Sequence, residues 1–150
     1  MYNIDEIMNM LDWNNSLETQ QKGLELAKNI KSINAFILPV HPECNKNVWE
    51  NCAKILTDKT DKILNPYWLD LLKWIEDLNW PGALIIMERL KKVSEIEMLA
   101  FSIKESIKIA TATDNYIWLK NMSELLDNEK LKNKLPIEIL EVLKIYYNSK

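Results

Sequence analysis

Apolar positions along this chain recur three and four residues apart almost throughout, and no stretch alternates as a half-buried strand must. Ile4, Ile7, Met8 and Leu11 predict a first helix that stops at Asp12-Trp13-Asn14-Asn15. Leu17, Leu24, Ala27 and Ile30 predict a second, to about Lys31, and Asn15 with Glu18 has the spacing of a capping box at its start. Residues 37–47 hold two prolines and no period, so they form the longest predicted loop and a candidate functional one. Trp49, Cys52, Ala53, Ile55 and Leu56 mark a third helix from Val48 to near Thr57. Asp61 to Leu64 reads as a short turn, and Asn65-Pro66 as the cap and first residue of the next helix.

That helix, predicted from Pro66 to Leu78, places Trp68, Leu71, Leu72, Ile75 and Leu78 on one face. Tyr67 and Trp74 widen the apolar arc, which suits a helix lying between two neighbours. It runs into a Trp80-Pro81-Gly82 corner, and another apolar helix follows at once from Ala83 to Val93. Ser94 with Glu97 predicts the cap of a long helix whose stripe is Ile96, Leu99, Ala100, Ile103, Ile107 and Ala110. Segments from Asn115 to about Leu126 and from Pro136 to about Tyr147 complete an all-α chain of about seven or eight helices. Leu11-Asp12-Trp13 and Leu78-Asn79-Trp80 each close one amphipathic helix and precede another, which favours a short solenoid over a four-helix bundle.

Composition sharpens this picture. A chain of 150 residues is one ordinary domain, and its 2 glycines stand against the ten or so that average usage of about 7% would supply. Asparagine is abundant, at 16, and there is a single arginine, Arg89. The net charge of −3 argues against a nucleic-acid partner, because phosphate contacts need a basic field. Lys130, Lys132 and Lys134, bordered by Asp127 and Glu129, read as a solvated loop. Cys44 and Cys52 make no disulfide framework, and Cys52 falls in an apolar helical pattern as a small buried hydrophobe. The first residues lack the basic and apolar segments of a signal peptide, and no window approaches a membrane span, so a cytoplasmic protein is expected.

Candidate chemistry is sparse. Trp68, Trp74 and Trp80 either pack in the core or line a groove, and Trp74, flanked by Asp70, Lys73 and Asp77, is the one expected to be exposed. Asp70 and Asp77, seven residues apart with Lys73 between them, form either a solvated salt-bridged face or a carboxylate pair for a basic partner. Asp12 and Asn79, just before the corner tryptophans, read as capping or turn residues. Trp49, Asp70, Trp74, Asp77 and Asn79 are the candidate partner-binding residues. His41, Cys44 and Cys52 fit no zinc spacing, and no phosphate loop, zincin or nucleophile-elbow motif is present. No catalytic residue, metal or cofactor is assigned.

Three stretches together carry a resemblance: Asp12-Trp13-Asn14, Asn47-Val-Trp49-Glu-Asn-Cys52-Ala-Lys-Ile55-Leu, and Leu72-Lys-Trp74-Ile-Glu-Asp77-Leu-Asn79-Trp80-Pro81-Gly82-Ala83. They resemble the "domain of unknown function 5071" family of small bacterial all-helical proteins. The family's Leu-Glu-Trp-Leu-Gln-Asp-hydrophobic-Asn-Trp-Pro run is matched from Leu72 to Pro81, with Lys73, Ile75 and Glu76 as mild departures. The resemblance spans most of residues 4–93, with little distinctive after Lys92. It implies a HEAT-like helical repeat, a short right-handed α-α superhelix, and no particular activity.

These readings converge on a non-enzymatic interaction module for an unidentified protein partner. One concrete version is an immunity-type protein whose acidic surface neutralises a basic toxin. Two alternatives stand beside it. A HEAT-like DNA glycosylase would use Trp74 and Asp77 in a cleft, against which the single arginine counts. A structural homodimer would pair through Ile137 to Tyr147, though tucking of that helix, and hence a monomer, is favoured.

Overall fold

The periods of three and four become helices, but shorter ones than the apolar runs predict. A computed structural model describes residues 2–41 and 43–148. They form α1 (Ile4–Met10), α2 (Leu17–Ala27), α3 (Trp49–Thr57), α4 (Asp61–Leu64) and α5 (Trp68–Trp74). After these come α6 (Ala83–Lys91), α7 (Ile96–Ala112), α8 (Tyr116–Ser123), α9 (Glu129–Lys134) and α10 (Ile137–Tyr147). No strand occurs among the described residues. The two elements beyond the predicted set are the single turn α4 and α9, which turns the lysine segment 130–134 from an expected loop into a helix, with Lys134 3.2 Å from Glu97.

Side-chain amides decide where the helices stop. A helix leaves its last carbonyls without partners, and glycine in the left-handed conformation is the usual remedy. Here the carbonyls are taken by asparagines from elsewhere in the chain. Asn15 donates to the carbonyls of Asn9 and Met10 at 2.7 and 3.2 Å, and Asn51 to that of Leu11 at 2.7 Å. Asn121 donates to Ile75 and Glu76 at 2.9 and 3.2 Å, and Asn128 to Val93 and Leu90 at 2.9 and 3.3 Å. A buried carbonyl left unpaired costs about 1–3 kcal/mol, so these four asparagines stabilise the ends of α1, α5 and α6.

The same contacts correct several predicted boundaries. Asn15 is spent on α1, so α2 is capped by Ser16, whose Oγ accepts from Thr19 N–H at 3.2 Å. The capping box lies instead at Asn3 and Glu6, which exchange bonds of 2.8 and 3.2 Å at the start of α1. Asn65 does not cap a helix; residues Asn65–Tyr67 make a 3-10 turn, and the Asn65 amide oxygen accepts from Trp68 Nε1 at 2.7 Å. Helix α5 ends at Trp74 rather than Leu78: its last carbonyls accept from the Ile75 and Glu76 N–H groups, Trp118 Nε1 adds a bond to Leu72 at 3.0 Å, and Asn121 bonds the Ile75 and Glu76 carbonyls beyond the end.

Packing joins some helices that follow one another and others separated by one or two elements in the chain. Helix α1 lies on α2, α3 on α6, α5 on α7, α7 on α8, and α8 on α10. Gly23 in α2 allows the first of these contacts, since an added Cβ would sit 2.9 Å from Met10 Cβ. The described part of the predicted loop 37–47, from which residue 42 is excluded, is not open: Leu38–Val40 and Lys46–Val48 are 3-10 turns, and Ile37 and Leu38 are fully buried. A 3-10 turn repeats every three residues, which hides it from a search for the period of 3.6. Helix α10 is tucked in through buried Leu143 and half-buried Ile139, Leu140, Val142, Tyr146 and Tyr147, while Ile137 and Ile145 remain exposed.

One ion pair fastens three helix ends. The Asp61 Oδ1 accepts from Arg89 at 2.7 Å, and its Oδ2 accepts from the backbone N–H groups of Ser94 and Glu95 at 2.8 and 3.1 Å. The expected Ser94–Glu97 cap does not form; Glu95 is the N-cap of α7, without a side-chain bond of its own, and Asp61 holds the two residues that lead into the helix. Burial acts to raise the Asp61 pKa, but the Ser94 N–H, Arg89 and the Glu95 N–H outweigh it and hold the carboxyl below its ordinary value. Asp61→Ala is expected to destabilise the protein by about 2 kcal/mol, the fully buried figure discounted for partial exposure. A depressed carboxyl stabilises above its unfolded pKa and loses that contribution as pH falls through the folded one. The gap between wild type and Asp61→Ala in urea denaturation should thus be full at neutral pH and narrow in acid; a gap independent of pH would contradict the assignment.

Candidate functional site

The corner between α5 and α6 is built from an Asx turn and a left-handed glycine. Asp77 Oδ1 accepts from Asn79 N–H at 2.8 Å, and Gly82, at φ +82°, sits at the N-cap of α6. Trp74 and Trp80 both meet the Trp49 ring edge-on, with centroids 5.8 and 5.6 Å away. The Trp74 indole N–H donates to the Pro81 carbonyl at 3.0 Å, which ties the end of α5 to the corner.

This arrangement overturns the exposure expected for Trp74. The flanking charges Asp70, Lys73 and Asp77 suggested an outward residue, yet Trp74 is fully buried and Trp49 is 5% exposed. Packing on three tryptophans outweighs the polarity of the sequence neighbours. Neither ring offers its surface to a partner. Trp80 keeps a half-exposed edge, and Lys46 Nζ lies 5.9 Å from its centroid and 5.7 Å from that of Trp49. The Trp49 indole N–H is enclosed and has no partner among the described residues.

Asp70 and Asp77 do not share a helical face, because α5 ends between them. Lys73 approaches Glu76, at 3.9 Å. Asp70 is half-buried on α5; burial pushes its carboxyl up, partly offset by His41 and Lys73. The two look-alike junctions also differ. Asp12 Oδ1 accepts from Asn14 N–H at 2.8 Å, so its counterpart is Asp77, two residues before Asn79. Leu11 is fully buried and Trp13 is 43% exposed, whereas Leu78 and Trp80 are both half-buried.

Asp77 and Asn79 do come together, in an open groove of about 580 Å³. One wall is the corner, from Glu76 to Trp80; the other is the start of α8, with Asn115, Ile117 and Asn121. Glu76 accepts from the Asn115 amide at 2.9 Å, and Ile117 is 70% exposed at the rim. Asp114, at φ +52°, turns the chain from α7 into that wall, and the Asn115 N–H closes α7 on the Ala110 carbonyl at 2.8 Å. The groove thus offers two carboxylates, amide groups and the apolar surfaces of Leu78, Trp80 and Ile117, with no cation among its lining residues. Glu76, Asn115, Ile117 and Asn121 were not anticipated from sequence. Asn121, inside the apolar pattern of α8, was the available signal, since a buried amide needs a specific partner.

The cysteine and histidine set stays apart from this groove. Cys52 is buried with its thiol 3.9 Å from Met8 Sδ, and burial, then Cys44, pushes its pKa up. His41 places Nε2 3.0 Å from the Asn34 carbonyl and Nδ1 3.4 Å from Glu43. Among the described residues, no three His, Cys, Asp or Glu side chains gather as a metal site, and no helix is long and apolar enough to cross a membrane.

Fold and groove define a small all-helical protein whose polar features cluster at helix corners. The chain belongs to the family described as "Domain of unknown function (DUF5071)", which matches residues 44–144. The match reaches well past Lys92, where the residues carrying the resemblance ended, and leaves Asp12-Trp13-Asn14 outside it. No curated protein and no solved structure matches the chain.

Proposed function

We propose that this protein is a non-enzymatic interaction module that docks a segment of a protein partner in the corner groove. The observation that carries this reading is the groove's make-up. Two carboxylates, Glu76 bonded to the Asn115 amide and Asp77 to the corner backbone, and the exposed Asn79 lie beside half-buried Trp80 and exposed Ile117, which suits a segment bearing both basic and apolar side chains. The finer version, an immunity-type protein facing a basic toxin in the cytoplasm, draws on the net charge of −3. A HEAT-like superhelix draws on the successive contacts of α3 with α6 and of α5 with α7. A monomer draws on the tucked α10. A DNA glycosylase would need Trp74 open to a base, and its burial withdraws that support.

The test is affinity capture from a native-host lysate with wild-type bait beside an Asn79→Arg, Ile117→Asp double variant. Both side chains are exposed, so the variant should keep the wild-type melting curve. A protein retained by the wild type and lost by the variant is the expected result. Equal retention by the two baits would refute docking at this groove.

A further inference from the structure

The polar groups of the corner groove point their open valences one way. Asn121 lines the groove and is 8% exposed. Its amide meets the Ile75 and Glu76 carbonyls, which can only accept, so the nitrogen lies on their side and Oδ1 is the atom left open. That oxygen has no partner among the described residues. Asn115 is spent at both ends: Oδ1 accepts from the Trp118 N–H at 3.1 Å, and the nitrogen donates to Glu76 Oε1 at 2.9 Å. Glu76 is fixed by that bond and keeps Oε2, which Lys73 approaches only to 3.9 Å, longer than a hydrogen bond. Asp77 spends Oδ1 on the Asn79 N–H at 2.8 Å and keeps Oδ2.

Three side chains thus present acceptors whose places the fold has set. Charge alone selects little here. Against the two carboxylates stand Lys73 and the N-termini of α6 and α8, with the C-terminus of α5 on the acidic side. At about half a charge for each helix end, the balance is roughly half a negative charge. The direction of the hydrogen bonds is the stronger selector, and it calls for a cation that donates several N–H groups in one plane. A guanidinium has five donors in a rigid fork and stacks on an indole, which half-buried Trp80 supplies on the same wall as Glu76 and Asp77. An ammonium has three donors and no flat face. A metal ion lacks ligands, because no three His, Cys, Asp or Glu side chains gather among the described residues.

Resting on the docking of a partner segment described above, we propose that the corner groove reads an arginine of that segment. The guanidinium bonds Glu76, Asp77 and Asn121 beside Trp80, and an aliphatic neighbour covers Ile117, 70% exposed at the rim.

The experiment titrates the ¹⁵N-labelled full chain with a capped Gly-Ile-Arg-Ile-Gly peptide and with its lysine and citrulline counterparts. Lysine keeps the charge and loses the fork; citrulline keeps the plane and loses the charge. Free L-arginine is a further arm. Saturable shifts of the Asn121 side-chain amide and the Trp80 indole N–H are expected, with the arginine peptide bound at least about tenfold more tightly than the other three ligands. The double variant Glu76→Gln, Asp77→Asn keeps both internal acceptors and turns the open oxygens into NH₂ groups. It should melt as the wild type does and bind the arginine peptide at least about tenfold more weakly. Equal binding of the lysine peptide would overturn the arginine readout and leave segment docking standing, since docking itself is decided by the capture experiment. Absence of shifts at the groove, or undiminished binding by the double variant, would overturn the readout as well. Free L-arginine binding more tightly than the peptide would overturn a protein segment as the occupant.

Discussion

Trp74→Ala is expected to lower stability by about 3–5 kcal/mol, the range for truncating a fully enclosed aromatic residue. The loss has two sources. The cavity left beside Trp49 removes an edge-on ring contact, and the Pro81 carbonyl loses its indole donor. Trp74→Phe separates the two, because it keeps much of the ring packing and loses only the donor, so a cost nearer 1–2 kcal/mol is expected. Urea denaturation followed by circular dichroism measures both. A loss under 1 kcal/mol in Trp74→Ala would mean that the ring is not held in the core.

Gly82→Ala is the second large effect, and it acts on backbone and packing together. At φ +82° an L side chain is strained by roughly 1–2 kcal/mol. An added Cβ would also lie 2.7 Å from Ala53 Cβ and 3.0 Å from the Trp49 carbonyl oxygen. Neither is the end of a flexible side chain, so α3 and α6 must separate, and overpacking of this kind adds about 1–3 kcal/mol. A total of about 2–5 kcal/mol is expected, with a visible change in the tryptophan fluorescence maximum as the rings loosen. Because the strain is steric, pairing the change with Ala53→Gly should recover part of the loss; no recovery would place the whole effect in the backbone.

Helix existence was legible in the sequence because apolar spacing reports burial directly, and the stripes on α6 and α7 became the buried faces of those helices. Helix ends were not legible. Asn15 bonds back to the end of α1 and leaves the cap of α2 to Ser16, Asn65 bonds Trp68, and the approach to α7 is held by Asp61, 33 residues before Ser94. The ends of α5 and α6 are bonded by Asn121 and Asn128, tens of residues away. Local propensity cannot anticipate such partners. Of the candidate residues, Asp77 and Asn79, which flank the corner motif, line the groove, whereas Trp74, expected to be exposed, and Trp49 are buried. A large aromatic among charges reads as exposed on one helix alone; only the third tryptophan, from α3, closes the core around it.

The asparagine contacts also bear on the order in which the chain can become stable. Asn51 finishes the end of α1 from 40 residues downstream, and Asn121 finishes α5 from 46. Emerging from a ribosome, each early helix would fray at its end until a later segment arrives to hold it. In a repeat protein governed by nearest neighbours, one repeat can be removed and the rest resealed. Excising α8 here would remove the side-chain donors to the Leu72, Ile75 and Glu76 carbonyls at a single stroke, leaving Leu72 only its bond from the Ile75 N–H, so the end of α5 depends on α8.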